Sequence, residues 1–288
     1  MGTESEAQAA GESPPVTLLG LGADVAPPAL AAAAPHSDVP GRTPGGRLVE
    51  LREWIAGVRG APATDFNRAR LAVLGDHLAT PADVAALAGL SVVPRGDGAD
   101  GLTAGMRLLD REVDGGTDLL VIAVPDVDVA ALIVICVLTN TEPVKVLPRG
   151  TALNPQEWMA QAVAVRDGRR TAFALREDPD ALVEAIGAPQ LATAAAAIAH
   201  AAARRTPMLL DGAGAVAAAL LAHAAQPRTA LWWQIADRVQ HPAFDIATAK
   251  LGRRPILDLG IDTEDGTAGA LALMVLRAAV HAHGGRPT

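Results

Sequence analysis

Between Arg47 and Val58 the chain places Leu48, Leu51, Trp54, Ile55 and Val58 at helical spacing, which predicts an amphipathic helix. Beyond it, short runs that are apolar at nearly every position alternate with longer helix-period stretches. LAVL (71–74), LLVIA (119–123), KVL (145–147), PMLLD (207–211), LWWQI (231–235) and PILDL (255–259) read as strands. Helices are expected at about 102–113, 128–138, 155–170, 179–203, 213–224, 241–251 and 267–282. Strands without a polar face, separated by helices, need cover on both sides. The predicted fold is therefore α/β, a mostly parallel, Rossmann-like sheet flanked by helices. Pro143, Pro207 and Pro255 precede strand runs, where a missing N–H costs little.

Residues 1–44 break this pattern. They are rich in Ala, Pro, Gly and Ser and poor in large apolar side chains, so a disordered tail is expected ahead of a single domain over 45–288. Within the tail, VTLLGLG (16–22) is apolar enough to dock, at a place the sequence does not indicate. The first residues carry neither a basic stretch nor an apolar run of the kind a signal peptide uses. The strongest apolar run, Val129 to Leu138, is shorter than the roughly 20 residues a bilayer requires. No membrane partner is expected, and the expected location is cytoplasmic.

Composition narrows the chemistry. Half of the 288 residues are apolar but only 2% are aromatic, with no tyrosine, so Ala, Val and Leu must build the core. The net charge of -8 gives no basic footprint for nucleic acid. One cysteine, Cys136, excludes an internal disulfide and a cysteine-based zinc cluster, and its apolar surroundings mark it as core filler. Seven scattered histidines, His77 among them, form no metal-binding spacing. P-loop, G-x-S-x-G and strand-linked G-x-G-x-x-G motifs are also missing from the sequence.

In an open α/β sheet the ligand sits beyond the carboxyl ends of the strands. That directs attention to 123–128, 148–151, 211–215, 236–241 and 260–267. The last contains Asp262, Glu264 and Asp265, followed by Gly266 and Thr267, ahead of a predicted helix. A carboxylate here is either a helix cap or, if a partly apolar pocket raises its pKa, a general base. Arg149 and Gly150 in PRGT suit a phosphate, the one by bidentate charge and the other by close backbone approach. Asp126 and Asp128 stand where a helix begins. They would repel an anion, Asp128 reads best as a cap, and two acids without further spacing are poor evidence for a metal. Trp232 and Trp233, on a strand, would face opposite sides.

Several of these segments resemble one family. RRPILDLGIDTEDGTAGALALMVLRAAV (253–280) is similar to a pattern P-L-L-D-L-x-x-R-L-G-E-G-T-G-A-A-L-A-L. RRTPMLLDG (204–212), LWWQ (231–234), PRGTALNPQEWMAQAVAVRD (148–167), VDGGTDLLVIA (113–123), GRLVELREW (46–54) and FNRARLAVLGDH (66–77) match further segments of it, in the same chain order. Together, over 45–77 and 106–283, they resemble the nicotinate-nucleotide:dimethylbenzimidazole phosphoribosyltransferases of cobalamin lower-ligand assembly. The resemblance implies transfer of phosphoribose from nicotinate mononucleotide to dimethylbenzimidazole. Nicotinate leaves, the anomeric configuration inverts, and the product is α-ribazole phosphate. It implies no metal and no cofactor, nucleotide and azole as small-molecule partners, and a homodimer or a heterodimer with an intact homologue.

The departures fall on the ligand loops. R-L-G-E-G-T-G reads Asp262 to Ala268 here, which puts Asp265 at the glutamate base and Glu264 at a glycine. G-E-M-G-I-G-N-T-T reads Ala123 to Ala131, with its glycines gone and Asp126 and Asp128 in their midst. G-R-G-T-G keeps Arg149, Gly150 and Thr151, G-H-x-S-x-E-P reads 236–242, and the region receiving the azole shrinks to SVVPRGDGADGLT (91–103). The expected catalytic residues are Asp265 and Glu264. Arg149, Gly150, Thr151, Gly266 and Thr267 are expected around the phosphate, beside Asp126 and Asp128. The alternatives are a catalytically impaired paralogue serving as a structural or regulatory subunit, and an acidic rim turned to a cation.

Overall fold

A computed structural model describes residues 15–29, 46–60, 63–74, 82–94, 101–125, 128–148, 154–261 and 263–281. In chain order the elements are α1 (Leu18–Gly22), α2 (Gly46–Arg59), β1 (Ala69–Val73), α3 (Ala82–Leu87), β2 (Ser91–Val92), α4 (Leu102–Asp114), β3 (Leu119–Ala123) and α5 (Val129–Leu138). They continue with α6 (Pro143–Val146), α7 (Pro155–Ala172), α8 (Pro179–Ile186), α9 (Pro189–Ala203), β4 (Met208–Asp211), α10 (Ala213–Ala225), β5 (Trp233–Ile235), α11 (Pro242–Leu251) and α12 (Thr267–Val280). Two 3₁₀ turns lie at Phe173–Leu175 and Pro227–Trp232.

The strands form one parallel sheet in the order β2-β1-β3-β4-β5. β3 is buried at all five positions, as its unbroken apolar run requires. Val73, Ala123 and Asp211 stand in register, so Asp211 lies on the carboxyl edge. The strand order reverses direction between β1 and β3, where a ligand crevice opens in folds of this class. One side of the sheet is covered by α12 packed on α2, the other by α10 with α5 and α9 behind it. Alanine makes the second layer thin. α9 and α10 are buried almost throughout, and Gly105 of α4 crosses α9 so closely that a β-carbon would stand 2.2 Å from the Thr193 carbonyl. The parallel α/β expectation is borne out, and the scarcity of aromatics is explained by this close helix packing.

Several local expectations change. KVL (145–147) is no strand: Pro143 opens the helical turn α6 with its fixed φ, and Val146 and Leu147 are buried without entering the sheet. PILDL (255–259) contributes a single bridge, Leu257 to Asp237. Only Trp233–Ile235 of LWWQI is strand, because the residues before it coil into a 3₁₀ turn that begins at Pro227. The helix expected over 179–203 is two helices, parted where Gly187 takes a left-handed conformation (φ 66°) ahead of Pro189. The short, exposed β2 had no apolar signature to find. Cys136 is buried as expected, and burial pushes its thiol up to about 11.

Part of the predicted tail is packed. Thr17 caps α1, Leu18 is fully buried, and α1 lies against α8, α9 and α10. The Asp180 carboxylate accepts the Leu18 and Leu19 amides, and the Trp232 indole donates to the Ala26 carbonyl at 2.9 Å. The rest of 1–44 lies outside the described residues. Leu18→Ala is expected to lower the unfolding free energy by about 2–4 kcal/mol in urea titration, as for any core leucine; an unchanged midpoint would show that this segment does not dock.

Candidate functional site

Three segments meet on the carboxyl edge: the exit of β3, the turn after β4 and the loop before α12. Gly212 (φ 94°) permits the approach, since a β-carbon there would stand 2.7 Å from the Val124 carbonyl oxygen and 3.2 Å from Glu264 Cβ. The first turn of α12 is pressed onto the sheet in the same way. A β-carbon on Gly269 would fall 2.3 Å from Val121 Cγ1, and one on Gly266 2.6 Å from Leu71 Cδ2.

Two buried aspartates hold this arrangement. Asp211, at the end of β4 and 2% exposed, accepts the Gly269 amide on Oδ2 at 2.9 Å. Asp237, just past β5 and equally buried, accepts the amides of Leu259 on Oδ1 (2.9 Å) and Ile261 on Oδ2 (2.8 Å). Burial pushes the Asp211 carboxyl up to about 6. The Gly269 and Gly266 amides pull it back down in part, and the nearby charges of Asp265 and Asp237 add to the rise.

The loop held between them carries the acids that the sequence singled out. Asp265 Oδ1 accepts the Thr263 hydroxyl at 2.8 Å and the Thr267 amide, the first of α12, at 2.9 Å. Burial favours its neutral form, but hydrogen bonds from Thr267 and Thr263 outweigh this and leave its pKa below the usual carboxylate value. Asp265 is thus an ionised cap, and the raised pKa that the general-base reading of the loop called for is not found at this residue. Glu264 is buried and adopts a left-handed backbone (φ 48°). For a residue with a β-carbon this conformation costs about 1–2 kcal/mol. Its Oε1 accepts the Ala213 amide at 3.3 Å, at the start of α10.

Asp265, Glu264, Gly266 and Thr267 therefore lie together. Asp128 caps α5, accepting the Ala131 amide at 2.7 Å, in keeping with the capping reading. Arg149, Gly150, Thr151, Asp126, Asp262 and His77 lie outside the described residues. Among the described residues no group of three or more His, Cys, Asp or Glu is arranged for a metal ion. Asp211, Asp237, Glu264 and Asp265 each accept a backbone amide. Sequence reasoning passed over Asp211 and Asp237. An acid closing a fully apolar strand, as in PMLLDG, was the available signal.

A family model described as Phosphoribosyltransferase matches residues 91–288. The nicotinate-nucleotide--dimethylbenzimidazole phosphoribosyltransferase of Mycobacterium avium (strain 104) is 36% identical, over 90% of this chain and 94% of its own. The chain belongs to that family. Its namesake from Mycobacterium marinum (strain ATCC BAA-535 / M) is 34% identical and matches over 92% of both chains. The crystal structure of CobT from Thermus thermophilus superposes with a TM-score of 0.70 at 20% identity, over 82% of this chain and 89% of that one, which confirms the fold.

Asp211 gives the site a pH signature. A carboxyl whose folded-state pKa exceeds its unfolded one binds its proton more tightly when folded, so stability falls as pH rises from about 4 through 6. Asp211→Asn removes this titration. Between pH 7 and pH 4 the wild type is expected to gain on the order of 2–3 kcal/mol relative to Asp211→Asn in denaturant titrations. Parallel profiles would show that Asp211 titrates normally.

Proposed function

We propose that this chain transfers phosphoribose from nicotinate mononucleotide to dimethylbenzimidazole, with Asp265 as the base. The observation that carries this reading is the placement of Asp265. It is an ionised carboxylate, fixed by hydrogen bonds at the start of α12 on the carboxyl edge, in a loop secured by two buried aspartates. An azole nitrogen attacks C1′ as the bond to nicotinate breaks, and the proton on the other azole nitrogen passes to Asp265. The depressed pKa keeps the carboxylate ready to accept but lowers its basicity. The side chain is also one methylene shorter than glutamate, so proton transfer requires the azole to sit about 1 Å deeper. In this reading Arg149, Gly150 and Thr151, with Gly266 and Thr267, meet the phosphate, and the enzyme acts without metal or cofactor as a dimer in the cytoplasm. The membership of the family supports it, and among the described residues no helix is long and apolar enough to cross a membrane.

One observation favours a second reading. The Glu264 carboxylate occupies the amide at the start of α10, a position suited to an anionic ligand. If the chain's own acid fills an anion position, it serves instead as an impaired partner of an intact homologue in a heterodimer.

Chromatographic detection of α-ribazole phosphate separates the two. The first reading expects product from the purified chain, a loss of about a hundredfold or more in kcat for Asp265→Asn, and activity kept or raised in Asp265→Glu. Product formation indifferent to Asp265→Asn would remove Asp265 as base. No product from the chain alone, together with co-purification of an active homologue, would establish the second reading.

A further inference from the structure

The opposite end of the sheet carries a second polar opening. A cleft of about 320 Å³ lies at the amino-terminal edge of β1 and β3, beneath the last turn of α4. Arg68, Arg70 and Arg111 line it, with Asn67, Ser91 and Thr117 as neutral hydrogen-bonding groups and Glu112 as its one acid. Three guanidinium groups against one carboxylate leave a local charge of +2 on a chain whose net charge is -8.

The surrounding carboxylates are committed elsewhere. Glu112 pairs with Arg70 at 3.0 Å and lies 3.4 Å from the Thr117 hydroxyl. Asp114 and Asp110 pair with Arg204, and Asp110 also meets His200. Asp118 accepts the Asn67 and Arg68 amides and lies 3.6 Å from Arg59. Arg68 spends one N–H on the Gly115 carbonyl and has no carboxylate partner among the described residues. Arg111 makes no side-chain ion pair or hydrogen bond among them at all. The buried Nε of Arg70 has no aligned acceptor, although Glu112 stands beside it. This is an excess of planar, multidentate donors, the geometry that recognises phosphate oxygens.

We propose that this cleft binds the phosphate of a small phosphorylated metabolite, at a site separate from the acidic rim. The volume exceeds what a bare phosphate fills and suits a pentose phosphate or a similar monoester. The cleft lies at the amino-terminal ends of the strands and the Asp265 loop at the carboxyl edge, so the two openings sit at opposite ends of the sheet. The proposal does not depend on the chemistry at Asp265.

Isothermal titration of the full chain with ribose 5-phosphate, and with ribose as the uncharged control, tests it. Saturable binding of the phosphate alone is expected, weakened about tenfold or more in Arg111→Gln and in Arg68→Gln and unchanged in Asp265→Asn. Thermal melting of each variant shows that weakened binding is not unfolding, and either arginine variant suffices if the other fails to fold. Binding of wild-type affinity in the folded arginine variants would overturn the assignment. So would no saturable binding at millimolar ribose 5-phosphate, or a loss confined to Asp265→Asn.

Discussion

The carboxyl edge depends on acids that the protein buries to receive its own backbone. Asp211 and Asp237 are each 2% exposed, and they take the amides of Gly269, Leu259 and Ile261. A buried carboxylate is costly unless hydrogen-bonded, and amides at the start of a helix (Gly269) or in an irregular loop (Leu259 and Ile261) lack a regular backbone partner, so each group relieves the other's deficit. The strands set the positions of the two aspartates, and these fix the one irregular segment that carries Glu264 and Asp265. Gly266 and Gly269 let that segment lie against Leu71 and Val121 with no side chain between.

This frame holds the loop that carries two further acids. Asp265 caps the start of α12, with its pKa depressed by hydrogen bonds from Thr267 and Thr263. Glu264, beside it, adopts a left-handed backbone. A family transferase with a shortened base is the reading that requires the fewest further changes, and the position of Glu264 beside the Ala213 amide is the feature most at odds with it.

The parallel sheet was legible because β3 is apolar at every position, as are β1 from Leu71 onward and β4 up to Asp211. Segments whose conformation depends on partners elsewhere misled. PILDL looks like a strand, yet past Leu257 its amides turn to the Asp237 carboxylate, and no local pattern encodes that acceptor. VTLLGLG was recognisable as apolar, but its dock needs Asp180, distant in sequence. In the site, Asp265 was found through the resemblance and through its place before a helix. Asp211 and Asp237 were missed because attention went to acids in loops, and a buried acid at a strand tip betrays itself only once its amide partners are known.

Amide hydrogen exchange followed by NMR at Leu259, Ile261 and Gly269 tests the clamp most directly. Leu259 is 66% exposed and its amide donates to Asp237, so protection of that amide reports on the carboxylate. The structure predicts that the three amides exchange as slowly as those of β3, and that Asp237→Ala releases Leu259 and Ile261 but not Gly269. Exchange of Leu259 and Ile261 at the rate of an open loop in the wild type would contradict it.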